Sequence, residues 1–164
     1  MIRACSEHDL PQMVEVINDA AQKYRGVIAA DRWKEPYMPE AELREEISDG
    51  VKFWAWVEEG RVISVMGLQD RGDVALIRHA YTRTDAQGGG AGSKLMTHLR
   101  TLTRKPVLIG TWRAATWAIR FYEKRGFRLT GDQEKNELLK RYWRIPARQV
   151  EESVVLSDQP SVIR

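Results

Sequence analysis

A single cysteine, Cys5, stands in 164 residues, so an internal disulfide is excluded. No apolar run approaches the roughly 20 residues that a membrane-spanning helix needs. The opening Met1-Ile2-Arg3-Ala4-Cys5-Ser6-Glu7 lacks the apolar stretch of a signal peptide. These absences together lead us to expect a cytoplasmic protein with no membrane partner. Charge of one sign is also scarce: 26 basic residues face 23 acidic ones, well mixed, for a net charge of +3. A nucleic-acid-binding domain concentrates its basic residues in a stripe. The densest cluster here, Lys135 to Arg148, is broken by Glu137 and preceded by Glu134, so no nucleic-acid partner is expected. Clusters with metal-ligand spacing are missing too, and no metal is expected. Internal repeats and linker-like stretches are absent, which points to one domain over residues 1–158 and a flexible tail over 159–164.

What is present is a regular alternation of strand and helix signals. Met1 to Cys5 reads as a strand, with Ser6 and Asp9 as the capping pair of the helix that follows. Leu10, Met13, Val14, Val16, Ile17, Ala20 and Ala21 give that helix an apolar face. Ile28 to Pro39 is irregular and rich in aromatics. A short helix over Pro39 to Ser48 shows Glu40, Glu42, Glu45 and Glu46 on its expected exposed face. Phe53 to Val57 and Arg61 to Leu68 flank the turn Glu58-Glu59-Gly60 and read as a hairpin. Val74 to Thr82 reads as a third long strand. A helix from Ala91 to Thr103 has Leu95, Met96, Leu99 and Leu102 on its apolar face. Val107-Leu108-Ile109 is a strand, Trp117 to Lys124 a helix, Phe127 to Leu129 a strand, Lys135 to Trp143 a helix and Val150 to Leu156 a last strand. This order predicts a mixed α/β (α+β) sheet covered by helices on both faces.

The sharpest local signal lies between the third strand and its helix: Gln87-Gly88-Gly89-Gly90-Ala91-Gly92. Glycines allow φ > 0 and leave backbone N–H groups open to direct contact. The helix behind them adds unpaired N–H groups and the positive end of its dipole. Such a nest suits a phosphate or pyrophosphate. The P-loop pattern fails, because Lys94 follows Ser93 instead of preceding it. The dinucleotide pattern fails as well, because its last glycine is replaced by Ser93 and a run of strands precedes the loop.

Gln87-x-x-Gly90-x-Gly92 resembles the Q/R-x-x-G-x-G/A signature of the GNAT superfamily of N-acyltransferases. Ala118-Ile119-Arg120-Phe121-Tyr122-Glu123-Lys124-Arg125-Gly126-Phe127 is similar to a second signature of that family, which follows its fifth strand. Element order agrees across roughly residues 1 to 130. The resemblance implies a mostly antiparallel central sheet and a transferase that uses acetyl-CoA as acyl donor and a primary amine as acceptor. A non-catalytic acyl-CoA-binding or sensor domain is the alternative on the same fold.

It also implies roles for matching residues. The strand end Ala80-Tyr81-Thr82 would pair with the pantetheine arm. Gln87, Gly88, Gly89, Gly90, Ala91, Gly92 and Ser93 would hold the pyrophosphate. Tyr122 occupies the position of the family's general acid near the thioester sulfur; a phenol with pKa about 10 is protonated at neutral pH and can donate. The region after the first helix shapes the acceptor pocket in the family, so Trp33, Glu35 and Tyr37 are candidates to touch the acceptor, with Thr111-Trp112 as a further one. For the base that takes the amine proton, His79, Glu35 and a water relay stay open. Strand alternation predicts Ile77, His79 and Tyr81 on one face and Arg78, Ala80 and Thr82 on the other. Two departures stand out. Gly88 and Gly89 fill both variable positions of the loop, and Ala115 replaces the usual cofactor-contacting Asn. The segment from Lys135 to Gln149 interrupts the family's closing strand hairpin, and either a cover for the acceptor site or a homodimer contact is expected of it.

Overall fold

The computed structural model describes residues 1–160. Seven strands form one sheet in the order β1-β2-β3-β4-β5-β7-β6, flanked by helices. They are β1 (Ile2–Ala4), β2 (Lys52–Glu58), β3 (Arg61–Asp70), β4 (Ala75–Thr82), β5 (Val107–Trp112), β6 (Arg128–Leu129) and β7 (Ser153–Ser157). Antiparallel pairing joins β1 to β2, β2 to β3, β5 to β7 and β6 to β7. The helices are α1 (Leu10–Ala21), α2 (Glu40–Ser48), α3 (Ala91–Thr101), α4 (Thr116–Glu123), α5 (Asp132–Tyr142) and α6 (Ala147–Glu151). By contact the chain divides into two compact units, Met1–Asp70 with Ile77–Arg104, and Arg71–Leu76 with the chain from Lys105 onward.

In the first unit, β2 and β3 form a tight hairpin because Glu58 pairs with Arg61, leaving a two-residue turn. Both turn residues, Glu59 at φ 50° and Gly60 at φ 76°, are left-handed, the twist that suits paired strands. Along β2, Phe53, Ala55 and Val57 are buried while Trp54 and Trp56 are half-exposed, the period of two expected of a strand with one core face. Leu10, Met13, Ile17 and Leu43 from the two helices pack with these residues in one cluster. The last helical positions differ from expectation. Leu102 lies just past the end of α3 and is 44% exposed, because the helix stops at Thr101 and its register no longer holds Leu102 against the sheet.

The entry to α1 is fixed electrostatically. Asp9 accepts the Ser6 backbone N–H at 2.7 Å and both Arg3 guanidinium nitrogens at 2.7 and 2.8 Å. The Arg3 hydrogen bonds outweigh burial and hold the Asp9 carboxyl down at about 2. A depressed carboxylate contributes stability that is complete above its unfolded value and disappears as pH falls through the folded one. We therefore expect Asp9→Asn to lose on the order of 2 kcal/mol at neutral pH, with the gap between wild type and variant closing as pH falls from about 4 toward 2. Thermal melts across that range read the gap directly. Cys5, beside this pair, is a half-buried thiol pushed up to about 12, chiefly by desolvation, which keeps it protonated at neutral pH.

In the second unit, Val74, Leu76, Leu108, Leu138, Leu139 and Val155 form the core. Gly110 of β5 lies against the Trp143 indole, where a Cβ would meet the ring at 3.1 Å. Buried Lys135 donates to the Val150 carbonyl at 2.8 Å, tying α5 to α6. The helix α5 starts at Asp132, earlier than the expected Lys135. Val150, expected in the last strand, lies instead in α6. Pro146 starts that helix at its N-cap with φ −62°, and the Gln149 carbonyl then accepts the Ser153 hydroxyl at 2.6 Å, so the strand begins only at Ser153. The closing β6–β7 pair is therefore kept, with two helices inserted between its strands. Of the expected tail 159–164, the Gln159 and Pro160 carbonyls accept from Arg128, and residues 161–164 lie outside the described residues.

Candidate functional site

Directly after β4 the chain is bolted down before it reaches the glycines. Arg83 is buried, donating Nε–H to the Val62 carbonyl at 2.6 Å and Nη1–H to Glu15 at 2.5 Å. The Thr84 backbone N–H and hydroxyl both reach Asp19, at 2.8 and 3.2 Å. Ser64, fully buried on β3, bonds the Tyr81 carbonyl at 2.9 Å and the Thr82 hydroxyl at 2.8 Å. Gln87 then folds back, its amide donating to the Thr82 carbonyl at 3.3 Å.

The loop itself is open. Gly88 at φ +90° and Gly90 at φ +83° are left-handed, and a Cβ added at either would find no atom within 4 Å. Gly90 caps α3, and the Lys94 N–H returning to the Gly90 carbonyl at 3.0 Å starts the helix's hydrogen bonds. The N–H groups of Ala91, Gly92 and Ser93 belong to the first turn, which has no acceptor inside a helix. Glycine conformation, free space and a helix N-terminus of 11 residues thus coincide. They fit a pyrophosphate held by main-chain N–H groups. Lys94 takes no part in a P-loop-like contact: its ammonium sits 4.6 Å over the Trp56 ring.

Upstream on β4, the expected alternation fails. His79 has φ 55°, a left-handed residue inside a strand. Neighbouring strand residues normally point to opposite faces. Here Arg78 and His79 both reach Glu46 of α2, Arg78 Nη2 to Oε1 at 2.8 Å and His79 Nε2 to Oε2 at 2.5 Å. The bend needs room beside it, which Gly67 supplies: a Cβ there would stand 3.0 Å from the Arg78 carbonyl and 2.7 Å from Val51. Glu46, expected on the exposed face of its helix, is only 18% exposed. Burial raises its pKa, but His79, Arg78 and Lys34 together outweigh that and hold it below the ordinary carboxylate value. Glu46 is the residue of this site that sequence reasoning missed. Its partners Arg78 and His79 lie far away in the chain, Arg78 by 32 residues, and nothing in the helix pattern marks it off from Glu40, Glu42 and Glu45.

The aromatic candidates come together in the same unit. Trp33 stacks on Tyr37 at 5.7 Å, Tyr37 meets Tyr24 at 5.5 Å, Tyr24 meets Tyr81 edge-on at 6.3 Å, and Tyr81 stacks on His79 at 6.3 Å. The run ends with Phe53 against His79 at 6.1 Å. Trp33, Tyr37, Tyr81 and His79 therefore belong to one continuous series of rings. Glu35 stands apart from it, exposed and paired with Arg25 at 3.5 Å.

Tyr122 and Trp112 belong to the second unit. Trp112 ends β5 and is buried. Tyr122, on α4, is 7% exposed and held edge-on by Phe121 at 5.5 Å and Phe127 at 6.4 Å. Ala115, where the resemblance implies Asn, is fully buried at the helix N-cap. Among the described residues no group of three or more His, Cys, Asp or Glu could hold a metal ion, and no helix is long and apolar enough to cross a membrane.

The model of the acetyltransferase (GNAT) domain family matches residues 15–140. No curated protein matches the chain. Among solved structures, the PaiA N-acetyltransferase of Thermoplasma acidophilum in complex with coenzyme A is 17% identical, with a TM-score of 0.73 over 97% of this chain and 98% of that one. An acetyltransferase of Streptococcus agalactiae is 19% identical, with a TM-score of 0.72 over 96% of both chains. The ribosomal-protein-S18-alanine N-acetyltransferase of Escherichia coli is 16% identical, with a TM-score of 0.67 over 96% of this chain and 91% of that one. At these identities the likeness is one of fold.

Proposed function

We propose that this chain, which belongs to the GNAT family of acetyltransferases, moves an acetyl group from acetyl-CoA to a primary amine by direct attack. The observation that carries the proposal is the open glycine loop, left-handed at Gly88 and Gly90, at the start of α3. Acetyl-CoA supplies the thioester carbonyl and a thiolate leaving group. The N–H groups of Gly88 to Ser93 bind its pyrophosphate, with Gln87 closing the loop against Thr82. The end of β4, Ala80-Tyr81-Thr82, aligns the pantetheine arm, held in place by Ser64 and Arg83. Tyr122 donates the proton that the thiolate takes up. His79 is the favoured acceptor of the amine proton over Glu35, whose carboxylate is exposed and already paired. Trp33 and Tyr37 contact the acceptor through their faces, and Trp112 is a further contact. The protein works in the cytoplasm as a single domain, and α5 with α6 forms a homodimer contact or a cover for the acceptor.

Titration calorimetry with acetyl-CoA and a thiol-release assay over a panel of amines test this. Micromolar binding together with turnover of one amine is the expected result. Binding without turnover of any amine favours an acyl-CoA-binding domain instead, and absence of binding by folded protein ends the proposal.

A further inference from the structure

We infer that Glu46 is a positioning residue that orients His79 so that its Nδ1 atom accepts the proton of the attacking amine. The inference rests on the acetyl-transfer reading above and adds to it a named atom and the residue that aims it. His79 is a backbone outlier, at φ 55°. A left-handed non-glycine residue is strained, and such strain gathers where function holds it. At His79 the bend has one visible consequence, that Arg78 and His79 share a single carboxylate.

The two carboxylate oxygens of Glu46 have different surroundings: Oε1 accepts a hydrogen bond, whereas Oε2 and His79 Nε2 are both buried without an aligned hydrogen-bond partner and stand together as an ion pair. Oε1 takes Arg78, which is itself held by Gln69 at 3.2 Å, and Gln69 donates to the Asp49 carbonyl at 3.0 Å. Oε2 faces His79 Nε2. The carboxylate facing the imidazole is Glu46 from α2, which also feels Arg78 from the same strand as His79 and Lys34 from the loop, the latter paired with Glu42 at 2.5 Å. From β2 the Phe53 ring packs on it, and from the end of β4 the Tyr81 ring. An ionised Glu46 can only accept, so its charge beside Nε2 favours the imidazole proton on that atom and leaves the Nδ1 lone pair free. Phe53 and Tyr81, each inclined 27° to the imidazole, hold its plane. Nε2 is fully buried, so the 15% exposure of the side chain falls on its other atoms.

In the transfer step the amine nitrogen forms its bond to the thioester carbon. The amine proton passes to His79 Nδ1, the carbon–sulfur bond breaks, and the CoA thiolate takes a proton from Tyr122. The ring then carries a positive charge that Glu46 stabilises across 2.5 Å. A purely structural ion pair would support the fold and leave the proton chemistry untouched.

The test measures turnover against pH for wild type, His79→Gln and Glu46→Gln, with acetyl-CoA and tyramine as probe amine, a ring-bearing acceptor chosen for the Trp33-to-His79 series of rings. In parallel, nitrogen NMR reads the His79 tautomer, and calorimetry reads acetyl-CoA affinity. The expected results are an Nε2–H tautomer in wild type, a fall in kcat of roughly 100-fold or more in His79→Gln with its low-pH decline removed, and a fall of about 10-fold in Glu46→Gln at unchanged acetyl-CoA affinity. An Nδ1–H tautomer, or a His79→Gln pH profile that matches wild type, overturns the assignment while acetyl transfer stands. Acetyl-CoA binding without turnover of tyramine or any amine of the panel removes the proton-acceptor role. Absence of acetyl-CoA binding removes instead the reading on which it rests.

Discussion

Gly90→Glu is expected to weaken acetyl-CoA binding by on the order of 100-fold or more, an effect of about 2.7 kcal/mol. Two separate forces act at this position. The backbone is left-handed at φ +83°, so any ordinary side chain adds strain of roughly 1–2 kcal/mol. The space beyond the missing Cβ is empty of protein atoms, so glutamate meets no steric barrier from the fold and instead fills the cradle. Its carboxylate then stands at the positive end of α3, where it satisfies the same first-turn N–H groups that a pyrophosphate needs. Competition and charge repulsion therefore act together. Gly90→Asn separates strain from charge, because asparagine tolerates the left-handed region and carries no charge. Calorimetry should show Gly90→Asn retaining most of the affinity and Gly90→Glu losing it, with both variants melting within a few degrees of wild type. Equal loss in both would mean that loop conformation, and not open access to the N–H groups, governs binding.

The glycine loop and the Ala118–Phe127 segment were legible because their signals are local. Four glycines within six residues have few structural uses, and the sequence places them between a strand and an amphipathic helix. The hairpin at Glu59-Gly60 was legible for the same reason. Glu46 and the bend at His79 were not. A helix pattern reads faces from the spacing of apolar residues, and α2 has too few of them to orient it: Leu43 is buried while Ile47 is 41% exposed. Alternation along a strand assumes extended backbone at every position, and one left-handed residue places Arg78 and His79 on the same carboxylate. Gly67 is the trace of that bend in the sequence, yet its reason lies in the Arg78 carbonyl of a neighbouring strand. Short apolar runs misled in a related way. Val150 to Leu156 has the composition of one strand, but Pro146 and the Lys135–Val150 hydrogen bond commit its first residue to a helix.

Tyr122→Phe is the second large effect, and it falls on turnover rather than on folding. The Tyr122 ring is fixed edge-on between Phe121 and Phe127, and phenylalanine keeps both contacts. Removing a buried hydroxyl usually costs about 1 kcal/mol of stability, so the variant should fold. A general acid contributes about 100- to 10,000-fold, and its loss should appear in kcat. If Tyr122 delivers the proton to the thiolate, acetyl-CoA affinity stays within about twofold while kcat falls by roughly 100-fold. That split distinguishes proton donation from a binding contact, which would raise the dissociation constant and leave kcat in place. A steady-state comparison on an accepted amine, with calorimetry on the same preparation, reads both quantities. The leaving group offers a further check. An acyl donor with a more acidic thiol needs less help in departing, so the penalty of Tyr122→Phe should shrink with such a donor, whereas a packing defect would penalise both donors alike.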